Sequence, residues 1–393
     1  MTIKELQQIG LEANGLVQAA RSQINMAEAG VVAARAYPNP NVTVKVGPQS
    51  GRYPASVIGP SNDYREVNVS QPIENPFFRS ARINSAEAVV DVRQASLNQV
   101  RADLAAQLRV RAYELILRRE QAEMEAGIFD LMKEIQRRIK VSVEVGETAR
   151  FELVRADTEV LSAENRMEAA RLSAERARVA LIQLAAGALQ SDFEINASLT
   201  DLVELPPLEM LREEIVRLNP EIQRLEAEQI SVTQRIDQEK ASVLPRVNIL
   251  YENYTDAQFS TNVAGLNLEI PIFYRRRGEI DTAVYDSARI RETLDYRRFE
   301  IIQLLELAWQ AKEIARRRIE MFEGGIVRDA ELALNIAQTA YRLGERGFIE
   351  VLDTQRILRG VLGELLQARF ELQSAAAEID RLRAYYPKEH FVE

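Results

Sequence analysis

Proline spacing constrains this chain more than any other feature. Its 13 prolines fall in clusters, and roughly 130 residues between Pro76 and Pro206 contain none. Roughly 115 more proline-free residues separate Pro271 from Pro387. An interior proline costs a helix about 3 kcal/mol, so long helices exclude it, whereas compact domains with helices of about 11–12 residues seldom avoid it for so long. The spacing therefore disfavours α/β sheets, β-sandwiches and enzymes with loop-borne active sites.

Composition narrows the class. Hydrophobic residues make up 46% and charged residues 28%, so the chain is not disordered. A net charge of -9 argues against nucleic acid as a partner, which needs a basic surface. With no Cys and a single His, His390 near the end, thiolate sites, disulfides and His-based catalysis are disfavoured, and no catalytic, cofactor or metal site is expected. No run of 18 apolar residues provides a transmembrane helix, and no signal peptide is visible before Ile3-Lys4-Glu5-Leu6, so a secreted origin implies a leader cleaved or omitted.

The pattern occurs twice, about 200 residues apart. A helix over 2–36 containing Asn14 corresponds to one over 208–243 containing Asn219. Alternating segments follow in each half, ending at Ser70-Gln71-Pro72-Ile73 and at Glu269-Ile270-Pro271-Ile272. Long helices are then expected from Arg79 to Val145 and from Arg276 to Leu343, each roughly 100 Å at 1.5 Å per residue. Each is interrupted at a glycine, Gly146 or Gly344, and followed by a further helix, 150–187 or 348–385. The expected organisation is a first repeat over 1–187 with hairpin 38–73 and turn 146–149, and a linker over 188–207. A second repeat spans 208–386 with hairpin 245–272 and turn 344–347, and a tail covers 387–393. Gly324-Gly325 is expected to mark a bend or close helix approach, as is Gly127.

Such helices bury seams against one another, as coiled coils do, and a soluble trimeric coiled-coil structural or interaction protein is one reading. The β-like segments weigh against it. In 41–46, 66–70, 247–252 and 264–270, apolar residues alternate with polar ones, for example Val42, Val44 and Val46 with Asn41, Thr43 and Lys45. With flanks, each reaches the length of a tilted membrane-spanning strand, about 9–11 residues. Four strands are too few for a membrane barrel, whose smallest members have about eight, but three chains supply twelve. A homotrimer would satisfy both the strand edges and the apolar faces in lipid. Phe77-Phe78-Arg79 and Phe273-Tyr274-Arg275 lie where strands hand over to helices, and their rings are candidate membrane-interface anchors.

These residues resemble the TolC-type outer-membrane efflux channels over essentially 2–386. The stretch Tyr341-Arg342-Leu343-Gly344-Glu345-Arg346-Gly347-Phe348-Ile349-Glu350-Val351-Leu352-Asp353-Thr354-Gln355 is similar to that family's periplasmic tip and gate, and Val145 to Leu153 is its first-half counterpart. Tyr37-Pro38-Asn39-Pro40 and Ser70-Gln71-Pro72-Ile73-Glu74 are similar to the cobalt-zinc-cadmium efflux branch. The resemblance implies a mainly α fold with a small β part: a helical coiled-coil barrel in the periplasm joined to a twelve-stranded barrel in the outer membrane. It implies a passive trimeric exit duct with no cofactor, not an enzyme, working with a periplasmic adaptor and an inner-membrane pump to export drugs, small molecules or heavy-metal cations.

It also implies residue roles. Gly146, Thr148, Ala149, Gly344 and Gly347 match the tunnel-mouth turns where adaptor hairpins dock. Glu350 and Asp353 match an acidic pair ringing the entrance; three apart, they share one helix face, and three copies give six carboxylates. Tyr341, Arg346 and Glu152 match positions that hold the entrance shut. Phe151 stands where a hydroxyl acceptor is expected, so Arg346 is expected to use a backbone carbonyl or Glu152 instead.

Overall fold

The computed structural model describes residues 1–48, 63–256 and 259–387, so His390 and most of the tail lie outside the described residues. These residues form two compact units, one of 1–20, 97–222 and 297–387, the other of 21–48, 63–96, 223–256 and 259–296. The elements are predominantly helical. Helix α1 (Ile3–Ala13) begins with a capping box, in which Thr2 Oγ1 accepts from the Glu5 amide and the Glu5 carboxylate accepts from the Thr2 amide.

The single helix expected over 2–36 is two. After α1 the chain is extended at Asn14 (φ -70°, ψ 127°), and α2 runs over Gly15–Arg35. The helix expected over 208–243 likewise divides into α5 (Leu208–Leu218) and α6 (Pro220–Ala241), with Asn219 extended between them. At Asn219 the local cause is covalent: a residue before proline is pushed out of the α region, and proline is well placed at the first position of the next helix. Both asparagines use their side chains in the same way. Asn14 Oδ1 accepts from the Leu16 amide while its Nδ2 donates to the Leu184 carbonyl at 2.9 Å. Asn219 Oδ1 accepts from the amides of Glu221 and Ile222 while its Nδ2 donates to the Leu382 carbonyl at 2.9 Å. Each therefore caps the start of one helix and satisfies a carbonyl at the end of another, the two kinds of group a helix leaves unpaired. Replacing the buried Asn219 with Ala should destabilise its unit by about 2 kcal/mol, from the lost cap and an orphaned buried carbonyl. The measurement is the thermal midpoint by circular dichroism; an unchanged midpoint would mean that water replaces the amide there.

Helix α3 (Pro76–Glu144) is one continuous element of 69 residues, and α4 (Arg150–Leu184) follows it. The bend expected at Gly127 is not there: the helix passes through it, and a Cβ at that position would meet nothing within 4 Å. The second long helix is instead interrupted. Between α7 (Arg277–Met321) and α8 (Val327–Arg342), residues Phe322–Ile326 form a π-helical turn with non-helical angles at Gly325. Adjacent Gly324 and Gly325 make the backbone permissive there, whereas Gly127 stands alone among good helix formers. The last helix, α9, spans Phe348–Leu382. The linker 188–207 is packed into its own unit, with Leu189, Phe193 and Leu199 buried. Met132 is core as well, against Ile135 and Ile139.

The four β segments form one antiparallel sheet in the order β1 (Asn41–Pro48), β2 (Asp63–Ile73), β3 (Arg246–Thr255), β4 (Ser260–Glu269). They are longer than the alternating runs, because ladder pairing continues into polar residues at their distal ends, such as Arg65 opposite Thr255 and Thr255 opposite Ser260. Register places Val42, Val69, Tyr251 and Ala264 in one row and Val44 opposite Val67 in the next.

Candidate functional site

The sheet has two chemically distinct faces, because side chains directly opposite one another share a face. One carries Val42, Val44, Val46, Val67, Val69, Ile249, Leu266 and Leu268. The three β1 valines are 61–62% exposed and Leu266 is 68% exposed, so this apolar face is uncovered among the described residues. The opposite face is polar and internally bonded. Lys45 Nζ donates to the buried Glu66 at 3.0 Å, Tyr64 also donates to Glu66, and the Tyr64 and Tyr254 rings meet edge-on at 5.3 Å. Among the described residues β1 and β4 each have one strand neighbour, so both outer edges are unpaired. At the helix-proximal end Phe77, Phe273 and Tyr274 are exposed, while Phe78 is half-buried with the Arg82 guanidinium 5.7 Å from its ring centre.

The two glycine turns share a second construction. Helix α3 ends with Gly146 at φ +82°, and α8 with Gly344 at φ +72°. In the first turn the amides of Gly146 and Glu147 donate back to the carbonyls of Val143 and Ser142; in the second those of Gly344 and Glu345 donate to Tyr341 and Ala340. This paired closure needs a left-handed residue at its corner, which glycine adopts without a Cβ clash. The next helices start without a side-chain cap, at Ala149 and at Gly347. Gly146, Ala149, Gly344 and Gly347 are exposed and Thr148 is half-buried, its hydroxyl 2.8 Å from that of Ser142. Next to these turns lies an apolar cluster drawn from four helices, including Ile139, Ala156, Ala337, Phe348 and Val351. Val145, Leu343 and Phe151 stay largely exposed beside the turns. Their signal in the sequence is simply their position next to each glycine.

The acidic pair lies in the first two turns of α9. Glu350 is half-buried and Asp353 exposed. Each has an arginine beside it: Arg346 Nη1 donates to Glu350 Oε1 at 3.1 Å, and Arg356 Nη1 lies 3.9 Å from Asp353 Oδ1. Glu350 is thus the partner of Arg346, one that sequence reasoning did not name. Arg356 also donates to Glu159 of α4 at 2.7 Å, joining two helices. Sequence reasoning missed Arg356 and Glu159 because each, taken alone, sits in an ordinary charged helix face. Tyr341 packs against Phe348 with ring centres 6.2 Å apart. Burial, and then the Glu152 charge, push the Tyr341 phenol above its ordinary range, so it stays a hydrogen-bond donor at neutral pH. One carboxylate oxygen of Glu152 is buried without a hydrogen bond.

Among the described residues no helix is long and apolar enough to cross a membrane, and no three His, Cys, Asp or Glu side chains converge as a metal site. The described residues thus combine long helices with a small antiparallel sheet whose apolar face is exposed. The chain belongs to the outer membrane efflux protein family, whose model matches residues 6–187 and 211–385. It is accordingly an efflux protein and not an enzyme. It is 25% identical over 391 residues to the cobalt-zinc-cadmium resistance protein CzcC of Cupriavidus metallidurans, covering 97% of this chain and 90% of that one. Among solved structures, the CmeC outer membrane channel of Campylobacter jejuni superposes with a TM-score of 0.83 at 13% identity, covering 98% of this chain and 86% of that one. CusC, described as forming a transmembrane channel, gives a TM-score of 0.81 at 16% identity over 97% and 92%. At these identities the structures speak for the fold alone, and that fold is shared over nearly the whole chain.

Proposed function

We propose that the chain is one third of a passive exit duct: a homotrimer whose three sheets close into a twelve-stranded barrel in the outer membrane, with the helices forming a periplasmic tunnel. The observation that carries this reading is the sheet itself. An uncovered face of valines and leucines bordered by two unpaired edges is an aggregation hazard in water. In lipid the same face is the low-energy one, and closure on neighbouring copies satisfies both edges. The polar Lys45, Tyr64, Glu66 and Tyr254 face then lines the lumen. The exposed rings of Phe77, Phe273 and Tyr274 are placed to sit at the headgroups.

One end of the tunnel carries the gate and the docking surface. Glu350 and Asp353 from three copies ring the entrance, with Tyr341, Arg346 and Glu152 holding it shut. The exposed glycine turns at Gly146–Ala149 and Gly344–Gly347, with Val145 and Leu343 beside them, receive the hairpins of a periplasmic adaptor that connects to an inner-membrane pump. An internal duplication accounts for the paired use of Asn14 with Asn219 and of Gly146 with Gly344. The resistance relative named for cobalt, zinc and cadmium favours heavy-metal cations as cargo, passed through rather than bound.

The test is reconstitution. The purified chain should require detergent, run as a trimer and give discrete conductance steps in planar bilayers. A detergent-free soluble trimer without conductance would replace this reading with a coiled-coil structural role.

A further inference from the structure

One buried carboxylate lies where three helices meet. Glu125 of α3 is 7% exposed, and Arg359 of α9 donates from Nε to its Oε1 at 2.7 Å. On its other side Arg166 of α4 approaches Oε2 with its own Nε at 3.5 Å. Neither that Nε nor that Oε2 has a hydrogen-bond partner, although both atoms are buried. Arg166 is meanwhile anchored by its Nη1 to Ser162 of its own helix at 2.6 Å. Glu125 is therefore fully engaged by one arginine and only approached by a second, on a different helix.

We propose that Glu125 is a partner-exchange switch for the entrance: bonded to Arg359 it holds α9 against α3 and α4, and it passes to Arg166 when α9 moves away. This rests on the reading of the chain as a gated duct. The physical requirement is that a tie broken during opening must not strand a buried charge, since an uncompensated buried carboxylate is strongly unfavourable. A plain ion pair between α3 and α9 fails that requirement. A carboxylate with a second guanidinium a few tenths of an ångström beyond bonding distance meets it, because closing that gap restores the lost hydrogen bond on the other oxygen. The position suits the task. Arg359 lies one turn beyond Arg356, which bridges Asp353 and Glu159, so a movement of the acidic end of α9 is felt at both arginines. The Glu159–Arg356 pair is the more exposed of the two and is a lesser tie.

The exchange makes predictions of opposite sign for two substitutions at one carboxylate. Arg359→Gln removes the closed-state partner and should raise single-channel conductance of the reconstituted trimer at least threefold. Arg166→Gln leaves the closed tie and removes the open-state partner, so conductance should fall below the parent, and it should also fall when added to the more open Glu350→Ala/Asp353→Ala background. Glu125→Gln should make the channel insensitive to either arginine change. Trimer yield and thermal midpoint, measured for each variant, separate gating from misfolding; should Glu125→Gln not assemble, the two arginine variants decide the matter alone. Shifts of the same sign, or none, in Arg359→Gln and Arg166→Gln would overturn the exchange. The acidic-pair variant is the separate control: if it alone is inert, the ring assignment fails while the exchange stands. Absence of conductance in the parent and all variants would overturn the duct and the exchange together.

Discussion

Replacing Glu350 and Asp353 together with Ala is expected to raise conductance and weaken block by divalent cations by at least about tenfold. The two acids lie three apart at the start of α9, on one helix face. A divalent cation about 5 Å from one carboxylate gains roughly 1.7 kcal/mol even at the dielectric constant of water, and each tenfold in affinity needs about 1.4 kcal/mol. Arg346 and Arg356 beside them make the field weaker than that of six bare carboxylates. The complementary change sharpens the test: Arg346→Gln should unmask Glu350 and strengthen divalent block. Bilayer recordings with added divalent or trivalent cations measure both. Unchanged block in the double Ala variant would remove the acidic pair from the entrance.

The second large effect is expected at the turn after α8. Gly344→Leu places a side chain at φ +72°, where a non-glycine residue costs about 1–2 kcal/mol. A Cβ there meets no neighbour within 4 Å, so the penalty is conformational and the leucine adds bulk at the exposed turn proposed to dock the adaptor. Efflux in cells should be abolished while trimer yield stays normal, because the apolar cluster beneath the turn is untouched. Gly344→Asn should retain most efflux, since asparagine tolerates the left-handed region and can end a helix in the same way. Retained efflux in the Leu variant would separate this turn from adaptor docking; loss in both variants together with loss of trimer would point to a folding role.

Particular residues show what could be read without coordinates. The proline-free spans correspond to α3 with α4 and to α7, α8 and α9, since proline exclusion is a covalent property of each residue. The alternating valines of β1 and β2 marked strands because period two is a local property. Gly146 and Gly344 marked turns because each must take a positive φ that other residues avoid. The break at Asn219 has a local signal, since Pro220 follows it, but the one at Asn14 does not: amphipathic periodicity runs on through Asn14, and its decisive bond goes to a carbonyl 170 residues away in the chain. Gly127 and Gly324 looked alike in sequence and behave differently, because one glycine is absorbed by a helix and two adjacent ones are not.

Most elements are legible locally: which long spans are helical, which segments alternate as strands, and where glycine turns the chain. Those are short-range consequences of backbone sterics and side-chain period. The pairings come from the fold: Val69 of β2 opposite Tyr251 of β3, Arg356 with Glu159, and Glu125 between Arg359 and Arg166. A chain with 59 acidic residues and 50 basic ones offers too many charge partners for spacing to choose among. Burial chooses, because only where water is excluded does a carboxylate need one particular guanidinium.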